Sequence, residues 1–176
     1  MGQLTFTTAE VEKLLDGRYN NFRQIVSHSV SVAVDNTDEF VLPINGLGTF
    51  ASVVSPDYIT SRWDGTNYKF AIPEELDSPN YSAVVSFIFD PDVAAVGEGT
   101  LRAYIIGDTV PTPATDNIIY ADGFDYKAAP EYVTRNISFF LGSDTGYDAK
   151  NKGVYFTIQL DKTGDLTQIY ADIHRT

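Results

Sequence analysis

The sequence predicts a mainly β protein, an antiparallel β-sandwich of jelly-roll type preceded by a short N-terminal α-helix. Three observations carry that expectation. About ten short runs alternate apolar with polar or small residues, turn-forming Gly, Pro, Asn and Asp pairs separate them, and aromatic residues make up 13% of the chain. Strands this short and numerous suit two packed sheets of a jelly roll better than a smaller immunoglobulin-like pair. A length of 176 residues accommodates one well-buried core, here divided into a helical anchor and linker over 1–24 and a sandwich over 25–176.

The helix is read from LTFTTAEVEKLLDG. Thr7 takes the N-cap and Glu10, three residues on, completes a capping box, while Phe6 and Val11 occupy the staple positions on either side. Val11, Leu14 and Leu15 share one apolar face, and Gly17 supplies the stop. A helix of about nine residues falls short of the roughly 12 to 15 that are marginally stable alone in water, so it has to dock. Phe6, Val11, Leu14 and Leu15 are therefore the expected assembly anchor, with packing on the chain's own sandwich as the plainer alternative.

The first strand is expected in IVSHSVSVAV, where Val26, His28, Val30, Val32 and Val34 alternate with serines and Ala33. Further runs follow: EFVLPI, GTFASVVS, YITSRW, NYKFAI, YSAVVSFIF, TLRAYIIG, NIIYADGF, EYVTRNISFFLG, GVYFTIQL and LTQIYADIH. Two hairpins are signalled. Asp64-Gly65 turns SRW back into NYKFAI, and the polar loop DKTGD joins the last two strands.

Charge narrows the function classes. Twelve Lys and Arg against 24 Asp and Glu give a net charge of −12, and no stretch gathers the cations into a stripe, which argues against nucleic acid as a partner. No apolar run reaches the roughly 18 residues of a membrane span, and no basic start precedes an apolar segment, so a membrane partner is not expected and synthesis in the cytosol is. The absence of cysteine removes disulfides, thiolate nucleophiles and cysteine metal sites.

Catalytic parts are scarce. His28 shares its parity with buried valines and His174 lies near the C-terminus, so a triad or histidine metal site lacks components. No phosphate loop, dinucleotide fingerprint or zinc motif is present. Asp90, Asp92, Asp122 and Asp125 fall in turn-rich segments, where carboxylates cap backbone for ordinary reasons. Asp144 and Asp148 in GSDTGYDAKNKG offer a calcium loop whose spacing does not match an EF-hand, so a solvated loop is the stronger reading. No catalytic residue, metal or cofactor is expected. Trp63, the sole tryptophan, and Tyr68 are the candidate glycan-stacking rings, set against a packing role for Trp63.

The opening segment LTFTTAEVEKLLDG and the sandwich from Ile25 to His174 together resemble small phage virion proteins of the capsid-decoration, head-fibre and short tail-fibre type. The resemblance is one of organisation rather than motif. It implies a non-enzymatic structural protein that attaches to a particle through its N-terminal segment. It also implies trimerisation, capsid or other virion proteins as partners, and a place in the virion after assembly in the host cytoplasm. A carbohydrate-binding sandwich is the alternative.

Overall fold

The computed structural model describes residues 7, 23–49, 53–55, 62–71, 80–106, 110–140 and 153–176. Among them, twelve strands form two six-stranded antiparallel sheets. The first contains β1 (Arg23–Ser27), β2 (Val32–Val34), β4 (Val53–Ser55), β7 (Asn80–Pro91), β10 (Glu131–Phe140) and β12 (Gly164–Arg175). Its order is β10-β7-β12-β1-β4, with β2 also paired to β12. The second contains β3 (Phe40–Val41), β5 (Trp63–Asp64), β6 (Lys69–Phe70), β8 (Gly97–Ile105), β9 (Asn117–Tyr126) and β11 (Val154–Leu160). It runs β5-β6-β11-β8-β9, with β3 also on β11. From β4 onward the chain changes sheet at every connection except β5–β6 and β8–β9, the weave of a jelly roll.

Period-two alternation places the core between the sheets. On β7, Tyr81, Ala83, Val85, Phe87 and Phe89 are buried; on β11, Val154, Phe156, Ile158 and Leu160 face them from the opposite layer. Edge-to-face aromatic pairs tie the layers together, with ring centroids 5.8 Å apart for Phe87 and Phe124 and 4.9 Å for Phe89 and Tyr126. Each such pair contributes about 1 kcal/mol beyond its buried area. Gly97 and Gly99 make this possible, because they lie directly opposite Tyr126 and Phe124 and a Cβ on either would run into the facing ring.

Mainly β, antiparallel and two-layered is what the sequence predicts, and the structure agrees. The expected helix lies outside the described residues, of which only Thr7, an exposed residue, belongs to that segment. Two local expectations are corrected. The run from Val26 to Val34 is not one strand: it leaves the sheet between β1 and β2, and Val30 is 64% exposed rather than buried. The cause is a bulge in β12, whose register with β7 shifts between Thr167 and Tyr170, so that β1 and β2 flank it on either side. Asn45 stabilises the excursion, its carboxamide accepting from Ser29 N and Leu47 N and donating to Ser29 Oγ at 2.8 Å.

The second correction concerns the last two strands, which do not form a hairpin. Both edges of β11 are occupied by β8 on one side and β3 and β6 on the other, while β12 is flanked by β7 and by β1 with β2. The short connection therefore passes from sheet to sheet. The other predicted hairpin forms, with Asp64 opposite Lys69. Asp64 Oδ1 accepts from the backbone N–H of both Thr66 and Asn67, an Asx turn that sets the reversal.

Candidate functional site

The outer faces of the two sheets differ in charge. On the second sheet, strand register aligns Asp125 of β9, Glu98 of β8 and Asp161 just after β11 across neighbouring strands. Beyond them come Thr100 with Gln159, and Arg102 with Thr157. Two adjoining cavities of about 710 and 680 Å³ share Glu98, Asp125 and Asp161 in their walls. Burial raises the Asp161 pKa, but hydrogen bonds from the Tyr126 hydroxyl and Lys162 outweigh it and hold the carboxyl below its usual range. Among the described residues no group of three His, Cys, Asp or Glu side chains is arranged to hold a metal ion.

The first sheet presents the opposite character. Its outward residues fall into rows set by the register of β10, β7, β12 and β1. Thr134, Ser86, Tyr170 and Ser27 form one row; Asn136, Val84, Asp172 and Ile25 the next; Ser138, Ser82, His174 and Arg23 the third. In a chain of net charge −12, these twelve positions carry one carboxylate and one guanidinium. Those two neutralise each other: Arg23 Nε and Nη2 donate to Asp172 at 2.9 and 2.6 Å, and this hydrogen bonding with the carboxylate charge raises the arginine pKa.

Four hydroxyls also pair across strands. Ser86 Oγ and Thr134 Oγ1 are 2.6 Å apart, and Ser82 Oγ and Ser138 Oγ are 3.3 Å apart. Val84, Ile88, Ile25 and Tyr170 stand half-buried among them, and Tyr132 is 58% exposed. The result is a flat, nearly neutral face roughly 20 Å across at the usual strand spacing.

The chain has a jelly-roll sandwich fold. The structure of Eiger TNF from S. frugiperda superposes with a TM-score of 0.51 at 8% identity, covering 89% of this chain and 93% of that one. A second solved structure is the CBM22-1–GH10 part of endo-1,4-beta-D-xylanase 10B from Clostridium thermocellum, complexed with xylohexaose. It matches with a TM-score of 0.39 at 13% identity over 90% of this chain and 28% of that one. No family model and no curated protein matches the sequence.

Of the residues singled out from sequence, Phe6, Glu10, Val11, Leu14, Leu15, Asp144 and Asp148 lie outside the described set. Trp63 is half-buried against the main core, its indole N–H donating to the Ile44 carbonyl at 2.6 Å. Tyr68 closes the β5–β6 turn with φ of 55° and is half-buried. Asp122 reaches Arg135 at 3.3 Å, while Asp90 ends the outward row of β7. Sequence reasoning missed the neutral face altogether. Its local signal was present in the Ser, Thr and Asn positions alternating through β7 and β10, but their adjacency depends on pairing that no single strand reveals.

Proposed function

We propose that this chain is a non-catalytic structural module that assembles with copies of itself through the outer face of the first sheet and attaches to a particle, in the manner of the capsid-decoration and head-fibre proteins whose organisation it resembles. The observation that carries this reading is the near-absence of net charge over the three rows from Thr134 to Arg23, with the exposed carboxylates Asp90 and Asp165 kept to one end of the face. Two copies of a chain at −12 repel each other, and bringing a carboxylate-rich surface into contact would require desolvating the carboxylates as well. The first sheet avoids both costs. Its one ion pair is internally matched and four of its serine and threonine hydroxyls pair across strands, which lowers the desolvation cost of covering them.

In this reading the segment Leu4–Gly17, with Phe6, Val11, Leu14 and Leu15, supplies particle attachment. Light-scattering-coupled gel filtration tests the self-assembly. The full chain is expected to run as an oligomer, a trimer by the resemblance, and the Val84→Asp, Asn136→Asp double variant as a folded monomer. Those residues face each other in the middle of the neutral area, so the variant plants two carboxylates where copies would meet. A monomeric wild-type chain, or an oligomer indifferent to the double substitution, would overturn the proposal.

A further inference from the structure

Beyond assembly, we propose that the depression over the β12 bulge, at one end of the neutral face, binds a neutral saccharide unit. The bulge opens a cavity of about 280 Å³ lined by Ser27, His28, Thr49, Tyr132, Gln168 and Tyr170, with Ile169 at its base. No lysine, arginine, aspartate or glutamate contributes to the wall. On so acidic a chain, that lining admits an uncharged ligand and gives neither anions nor cations a partner.

The groups present match polyhydroxylated chemistry. Two tyrosine rings offer faces on which the C–H side of a sugar ring can lie. Among the described residues, the Tyr132 hydroxyl and the Gln168 carboxamide are engaged in no hydrogen bond, and together they supply both donors and acceptors. The cavity has the scale of a small-ligand pocket, just under the usual range of drug-sized sites.

Gln168 gives the site its built character. Its φ of 49° lies in the left-handed region, where glycine or asparagine is the ordinary occupant. The bulge turns this residue outward, leaving it exposed beside the two rings. Bulges re-aim side chains in this way next to binding sites, and strained backbone is retained where something depends on the side chain it carries. His28 fixes the opposite wall, because its Nδ1 accepts from Asn45 N and its backbone N–H donates to Ile169 O at 2.9 Å.

Saturation-transfer NMR and calorimetry with the methyl glycosides of glucose, galactose, mannose and N-acetylglucosamine test the site. At least one is expected to bind the full chain in the millimolar range, with affinity falling at least tenfold in Tyr132→Ala and in Gln168→Gly. Both residues are exposed, so the variants are expected to keep the wild-type unfolding transition. Trp63→Phe is the control expected to leave binding unchanged. No binding by any of the four glycosides, or binding insensitive to both pocket substitutions, overturns the proposal. So does a Tyr132→Ala chain that loses oligomer mass while wild type binds no sugar, since the depression then belongs to the assembly face. Ser27 and Tyr170 also belong to the first row of the assembly face, so the glycosides are titrated into the monomeric Val84→Asp, Asn136→Asp variant as well as the full chain. Binding in the variant alone means that assembly covers the site, and binding in neither overturns the saccharide proposal without touching the assembly reading.

Discussion

Single side chains set part of the stability of this sandwich, and Tyr81 is the clearest case. Its ring is 1% exposed between Phe70 and Phe139, and its hydroxyl finds no hydrogen-bond partner among the described residues. Burial pushes its pKa to about 12 against the opposing pull of Arg175 and Arg62. Removing an unsatisfied buried hydroxyl removes its desolvation cost, so Tyr81→Phe is expected to stabilise the chain by about 1 kcal/mol, read as a higher urea midpoint at unchanged slope. Gln168→Gly should add a similar amount, about 1 kcal/mol, by relieving the left-handed backbone. Under the saccharide proposal it gains stability while losing the ligand. His28 adds a pH term. Burial lowers its pKa despite a hydrogen bond to the Pro43 backbone, so the unfolded chain takes up the proton first as pH falls. Stability from this group is complete above 6.5 and declines as pH drops from 6.5 through the lowered folded-state pKa. Thermal midpoints between pH 7.5 and 5.5 should fall more in wild type than in His28→Gln, and equal slopes would mean the imidazole takes no part.

At the scale of elements, β3 shows how a two-residue strand is held. The carboxylate of Glu39, immediately before it, accepts from Tyr104 Oη at 2.9 Å and from the Thr157 hydroxyl, and meets Arg102 at 3.2 Å. The stacked rings of Tyr104 and Tyr155 lie beside this network, with Tyr155 donating to Asp116 at 2.9 Å. Arg102 and Glu39 are both about one-fifth exposed, so the desolvation of both charges offsets much of the attraction in their ion pair. The two buried hydroxyls matter more. Glu39→Ala deprives both of their acceptor and should cost about 2 kcal/mol in chemical unfolding, whereas Glu39→Gln keeps an acceptor and should cost less. None of this was legible in EFVLPI, which announces a strand and not the side chains 65 and 118 positions away that fix it. What could be read were the period-two elements themselves. β7 and β10 stand where their alternation places them, because burying one face is a local pattern, whereas β11 is buried on both faces. The break between β1 and β2 was hidden for the converse reason. It is imposed by a bulge in the last strand, to which nothing in IVSHSVSVAV refers.

For the whole molecule, the decisive property is how charge is shared between its two outer faces, and this too is invisible residue by residue. The sequence shows −12 spread along the chain; the fold gathers Asp125, Glu98 and Asp161 on one sheet, whereas on the other the three rows from Thr134 to Arg23 carry a single matched ion pair and the exposed carboxylates Asp90 and Asp165 are confined to one end. That partition makes a prediction about salt. If copies meet through the neutral face, electrostatics enters only as long-range repulsion between acidic bodies, which added salt screens over a Debye length of about 10 Å at 0.1 M and about 3 Å at 1 M. Self-association should then strengthen as NaCl rises from about 0.05 to about 0.5 M. An interface built on opposite charges behaves the other way, since screening removes its attraction. Sedimentation equilibrium across that range distinguishes the two. Association that weakens with salt would place the contact on the acidic second sheet or its cationic neighbours Arg135, Lys127 and Lys162, and the neutral face would lose its role.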